Sequence, residues 1–154
     1  MAAAKPGVKA PTFNVPTTGG EFRLGDQGRE NLVVYFYPRD NTPGCTLEGA
    51  DFRDLAPEFR RARTRILGIS TDTLESHRKF KQKLRFPFEL GSDGDHAVAS
   101  RFRVWKQKNM YGRKMMGIER STFLIDATGA LRREWRKVRV KGHAAEVLEA
   151  AREL

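Results

Sequence analysis

One cysteine among 154 residues rules out a disulfide within the chain, so a packed apolar core must supply its stability. Histidine is equally sparse. His77, His96 and His143 fall at no spacing that resembles a zinc or iron site, which argues against a metal, and no cofactor is implied. Long apolar runs are missing too, since no segment nears the roughly 20 residues of a membrane helix. The opening MAAAKPGVKAPTF lacks the apolar stretch and cleavage pattern of a secretory signal. A cytoplasmic protein with no membrane partner is the expectation.

Acidic residues are in the minority, 19 against 29 Lys and Arg, for a net charge of +10. Such a surplus can bind phosphates by releasing counterions, so a nucleic-acid or acidic-partner binding protein is the alternative reading. The cations are dispersed, however, from Arg60, Arg61 and Arg63 through Arg78 and Lys79 to Arg132 and Arg133, mostly between apolar positions that would face a core. A solvated basic surface is the simpler account and speaks against nucleic acid.

The residues that are present describe one domain over 1–154, 39% hydrophobic and 31% charged, without repeats. NLVVYFY, Asn31 to Tyr37, is a continuous β-branched and aromatic run ended by Pro38, as in a strand covered on both faces. Beyond PRDNTPG, the positions Phe52, Leu55, Phe59 and Ala62 recur at helical spacing, predicting a helix from Cys45 or Thr46 to Arg63. RILGIS, Arg65 to Ser70, predicts a second buried strand. Thr71 and Asp72 would then cap a helix with the stripe Leu74, His77 or Phe80, and Leu84. A short strand at Pro87 to Leu90 follows, then a short helix capped by Ser92 or Asp93. STFLI and Ala130 to Trp135 form a hairpin turned by DATG, and a helix over Ala144 to Glu153 closes the chain. With an N-terminal β-hairpin at Phe13 to Val15 and Phe22 to Leu24, this pattern predicts an α/β protein of thioredoxin-like arrangement: a central mixed sheet with helices on both faces.

A lone cysteine is usually an inert core side chain. Cys45 has a different setting, on the connection between a buried strand and an amphipathic helix, where α/β proteins place ligands. Unpaired N–H groups at a helix N-terminus favour the thiolate over the thiol, and the thiolate is the nucleophile. Phe36, Phe52, Phe80, Phe102 and Phe123 are read as core, the three histidines as structural or surface residues, and Trp105 as packing or lining the site.

Pro38, Thr42 and Cys45 form a Pro-x-x-x-Thr-x-x-Cys pattern that resembles the peroxiredoxins. YFYPRDNTPGCTLE is similar to the bacterioferritin comigratory protein, or peroxiredoxin Q, branch, as are LGISTD, SDGD, FRVW and GIERSTFLID in that order. The resemblance covers nearly the whole chain. It implies a thiol-dependent peroxidase acting on hydrogen peroxide or alkyl hydroperoxides, with Cys45 the peroxidatic nucleophile and Arg120 the positive partner of its thiolate. Thr42 would set its hydroxyl against the sulfur and a peroxide oxygen, and Pro38 would shape and shield the loop. Glu48 would either orient Arg120 or cap the helix. Fixed donors suit this chemistry because negative charge develops on the leaving oxygen of the O–O bond.

The chain departs from that branch in one respect. Where members carry a resolving cysteine, five residues after the first or in an SHxxFC context, it has Ala50 and Lys81. A one-cysteine mechanism follows, in which the sulfenic acid on Cys45 is reduced by an external thiol such as thioredoxin, glutaredoxin or glutathione. The resemblance also favours a monomer.

Overall fold

The computed structural model describes residues 8–154, so the first seven residues of the stretch read for a secretory signal lie outside it. A seven-stranded sheet runs through the molecule in the order β2-β1-β5-β4-β3-β8-β9. The N-terminal hairpin is β1 (Asn14–Thr17) with β2 (Gly20–Arg23). In the middle, β3 (Asn31–Phe36) pairs in parallel with β4 (Thr64–Ser70) and β4 in parallel with β5 (Glu89–Ser92). On the other side of β3, β8 (Ser121–Ile125) and then β9 (Leu131–Trp135) run antiparallel. The sheet is therefore mixed, as the sequence pattern predicts.

Alternation along β3 explains why its sequence is apolar at every position. Val33, Tyr35 and Tyr37 enter one core, with Phe52 and Phe59 of α1 (Pro43–Arg61), Phe80 of α2 (Leu74–Leu84) and Val147 of α4 (His143–Arg152). Leu32, Val34 and Phe36 enter the other, with Phe13, Phe22, Phe123, Val98 and Ala99 of α3 (Ala97–Arg101), and Phe102 just after it. Three helices thus cover one face and one helix the other. All five phenylalanines read as core are buried.

Several boundaries differ from the sequence reading, each for a local reason. α1 begins two residues earlier, because Pro43 has a preset φ and needs no N–H partner in a first turn, and it ends at Arg61. Neither Thr71 nor Asp72 caps α2. Thr73 does, accepting a bond from the Ser76 amide, while the Asp72 carboxylate accepts from Ser70 Oγ and the Asp40 amide. The fifth strand lies at Glu89–Ser92 rather than Pro87 to Leu90, since Pro87 has no N–H to give a ladder. At α3 the Asp93 carboxylate does accept from the amides of Val98 and Ala99. Trp105 packs, stacking on His96 at 4.2 Å between ring centroids.

The sequence reading contains no trace of one element, the two-stranded ribbon of β6 (Trp105–Met110) and β7 (Arg113–Ile118). It stands apart from the main sheet, and its turn is Tyr111-Gly112, with φ of 53° and 78°. Both values are positive, as a two-residue hairpin turn requires, but tyrosine rarely fills the first place.

Gly49 marks a close approach between α1 and the chain after α2. A Cβ there would overlap the Phe86 ring, which is stacked at 4.9 Å on Phe88 and set edge-on to Phe80 at 5.2 Å. Gly49→Ala gains about 0.5–1 kcal/mol of helix propensity but forces overpacking worth about 1–3 kcal/mol. The expected outcome is net destabilisation, measured as a lower urea midpoint with an unchanged slope.

Candidate active site

Strand β3 sets the site by where it stops. The Tyr37 amide still bonds the Ile69 carbonyl at 3.0 Å, and Pro38 follows, half-buried, with no N–H to continue the ladder. The loop then turns into α1 through Thr42, whose extended backbone makes it the N-cap residue and whose carbonyl accepts the Thr46 amide at 2.8 Å. Cys45 is the third residue of the helix, within the turn whose amides lack helical partners, and is only 2% exposed.

Arg120 reaches it from between β7 and β8. Its Nη2 donates to Cys45 Sγ at 3.3 Å and its Nη1 to Glu48 Oε1 at 2.5 Å. Glu48 is three residues past Cys45, so the two side chains share one face of α1 and can hold one guanidinium between them. Gly44 leaves the space: a Cβ there would stand 3.2 Å from Arg120 Nη2. Thus Cys45, Glu48 and Arg120 come together. Glu48 bonds Arg120, and no side chain caps α1. Thr42 is placed differently from expectation, its hydroxyl donating to the Arg39 carbonyl at 3.0 Å rather than to the sulfur.

Burial dominates the electrostatics. It pushes the Glu48 carboxyl up from 4.5 to about 7, although the charge and bond of Arg120 pull the other way. Burial alone would lower the Arg120 guanidinium, but Glu48 and Cys45 outweigh it and hold the group above its ordinary value. Beneath them the Tyr35 phenol is raised well above its usual range by burial and then by Glu48 and Cys45, so it stays neutral. Its ring stacks on Phe52 at 4.7 Å, making an apolar floor.

Sequence reasoning missed the anchor of the cysteine loop. The buried Asp40 carboxylate accepts from Tyr37 Oη at 2.6 Å and Ser76 Oγ at 2.8 Å, and meets His77 Nδ1 at 2.7 Å. His77 Nε2 faces the Gly91 carbonyl at 2.9 Å, and the Asp40 amide donates to Asp72. This network ties the loop to α2, β4 and β5. The available signal was an aspartate inside the loop and a histidine on the apolar stripe of α2. Among the described residues, Asp40, Asp72 and His77 also bring possible metal-ligand atoms within 4.8 Å of one another. Both His77 nitrogens and both carboxylates already have hydrogen-bonding partners, so the trio works as a post for the loop.

A profile of the AhpC/TSA family matches residues 6–134. The chain belongs to that family. Within it, the chain is 48% identical over 149 residues to peroxiredoxin Bcp of Bacillus subtilis, covering 96% of this chain and 95% of that protein. Its fold superposes with a TM-score of 0.89 on the Xanthomonas campestris bacterioferritin comigratory protein, a structure concerned with alkyl peroxide reduction, at 45% identity over 97% of this chain and 98% of that one. Peroxiredoxin Q of Xanthomonas campestris, solved with either of two cysteines replaced by serine, matches at a TM-score of 0.87 and 48% identity, covering 92% and 90% of the two chains. The AhpC/TSA chain described here has a single cysteine. At Lys81 it carries instead an ammonium paired with Glu89 at 2.8 Å, binding α2 to β5. The family match and these superpositions also establish the thioredoxin-like fold.

Because Glu48 titrates higher folded than an ordinary carboxyl, the folded state binds the extra proton between about pH 4.5 and 7. Its contribution is complete below that window and is lost as pH rises through it. Glu48→Gln should remove a decline of about 3 kcal/mol in stability between those limits; urea titrations at several pH values would show a flatter profile, and an unchanged one would contradict the assignment. His77→Ala takes the His77 contact from the buried Asp40 carboxylate, which keeps Tyr37 Oη and Ser76 Oγ, and should cost about 1–3 kcal/mol. Asp40→Asn with His77→Ala should cost less than His77→Ala alone, measured as a double-mutant cycle of unfolding free energies.

Proposed function

We propose that the chain reduces hydroperoxides through Cys45, and the observation that carries this reading is the 3.3 Å bond from Arg120 Nη2 to Cys45 Sγ in the first turn of α1. A buried thiolate needs a fixed counter-charge, and a guanidinium keeps its charge while presenting further donors. The Sγ thiolate attacks the terminal oxygen of ROOH, a sulfur–oxygen bond forms, and the O–O bond breaks. Cys45 becomes the sulfenic acid, and RO⁻ leaves and takes up a proton as ROH. Arg120 is placed to stabilise charge on both the attacking sulfur and the departing oxygen, and Glu48 keeps it there. Thr42, already on the rim of the loop, has a hydroxyl to offer the peroxide once it turns from the Arg39 carbonyl.

Hydrogen peroxide and small alkyl hydroperoxides both fit this scheme, and the alkyl peroxide activity of the Xanthomonas campestris relative supports the second. With one cysteine, the cycle closes through an external thiol: thioredoxin, glutaredoxin or glutathione. That requirement suits a reducing compartment such as the cytoplasm.

Cys45→Ser should abolish peroxide consumption, followed as peroxide loss with a thiol reductant in excess; turnover near that of the unmodified protein would overturn the proposal. Arg120→Lys keeps a positive charge but cannot span Cys45 and Glu48 together, and should lower kcat/KM about 100- to 1,000-fold.

A further inference from the structure

Peroxide chemistry gives no role to the net charge of +10, yet part of that charge is gathered on one element beside the site. The β6–β7 ribbon contains Lys106, Lys108, Arg113 and Lys114, and no aspartate or glutamate from Trp105 to Ile118. Its register sets Lys106 opposite Gly117 and Lys108 opposite Met115. Directly opposed residues share a face of a ribbon, and so do residues two apart, so Lys106, Lys108, Arg113 and Met115 project on one side. None of the three cations takes part in an ion pair among the described residues.

One residue of this side, Lys108, comes near the sulfur. Lys108 lies close enough to Arg120 and Cys45 to be influenced by both charges, with burial and then Arg120 lowering its ammonium from the ordinary value. Gly117 leaves room for the lysine stem to cross the ribbon, since a Cβ there would lie 3.5 Å from Lys108 Cδ. Arg120 follows two residues after the ribbon ends, so the ribbon's root and the site's cation are one stretch of chain. Apolar contact surface is available as well: Met115 on this side and Leu47 in the second position after Cys45 are each 52% exposed.

We propose that this side of the β6–β7 ribbon is the docking surface for an acidic dithiol protein that reduces oxidised Cys45; the inference rests on the thiol-recycling function above. Charge complementarity selects the occupant, and the same charge repels a second copy of this chain. The partner's first sulfur bonds to Cys45 Sγ, the S–O bond breaks, and the oxygen leaves as water with the sulfenic and thiol protons. The partner's second thiol, as thiolate, then attacks its own sulfur in the mixed disulfide, releasing Cys45 as thiolate. Two electrons pass from the dithiol, which ends as a disulfide.

Two synthetic dithiol peptides, alike except that one is flanked by glutamates and the other by lysines, test this in full-length protein. Each rate of sulfenic acid reduction is divided by the rate with dithiothreitol in the same protein. The glutamate peptide should be about tenfold faster than the lysine peptide at ~20 mM salt, and the advantage should fade near 0.5 M as the field is screened. In Lys106→Glu with Arg113→Glu, which leaves the ribbon with two lysines against two glutamates, the advantage should be lost. Equal rates for the two peptides with the unmodified protein, or an advantage that survives both substitutions, would overturn the docking surface while leaving thiol recycling intact. Failure of all three thiols to reduce the sulfenic acid would overturn both. Duplex DNA binding at physiological salt that the two substitutions abolish would assign the surface to nucleic acid instead.

Discussion

The bidentate hold of Arg120 on Cys45 and Glu48 is the constraint around which the rest of the site is arranged. Three groups that prefer water are drawn together there, and their mutual bonds offset part of the cost of burying them. The guanidinium gains two acceptors, the sulfur gains a counter-charge, and the carboxylate fixes the geometry of both. Gly44 clears the space, Tyr35 closes the floor, and the first turn of α1 adds its unpaired amides. Removing Arg120 would leave the buried Glu48 carboxyl without its bonding partner, which is costlier than never having buried it.

A second polar core, equally buried, holds the loop from the other side. Asp40 and His77 do not touch the sulfur, yet they fix the segment between Pro38 and Thr42 against α2 and β5. The cysteine is thereby clamped between two networks: one on its own helix, the other on the loop that feeds it. Preorganisation of this kind reduces rearrangement during reaction, because the donors already stand where charge appears.

The central strands were readable because burial on both faces leaves an unmistakable apolar run, and the cysteine because it follows such a run and precedes a helix. Arg120 was readable only through its resemblance to a family, since nothing in GIERSTFLID by itself distinguishes one arginine among many. The β6–β7 ribbon was not readable. Its sequence WKQKNMYGRKMMGI lacks a clean apolar alternation, because both faces are largely exposed and its stability comes from cross-strand pairing and from its base at Trp105 and Ile118. The cap of α2 lies one or two residues beyond the expected positions because Thr71, Asp72 and Thr73 are all competent, and Asp72 is taken up by a tertiary bond to Asp40 and a local one to Ser70. Asp40 and His77 lie 37 residues apart, a pairing set by topology rather than by any local pattern.

Lys81 and Glu89, which join α2 to β5, carry a consequence for how the oxidised molecule can be told from the reduced one. No second thiol exists to draw α2 toward α1, so oxidation adds an oxygen atom without adding a covalent tether. The two redox forms share one chain connectivity. Whatever distinguishes the two forms must therefore reach the sulfur itself, which is only 2% exposed.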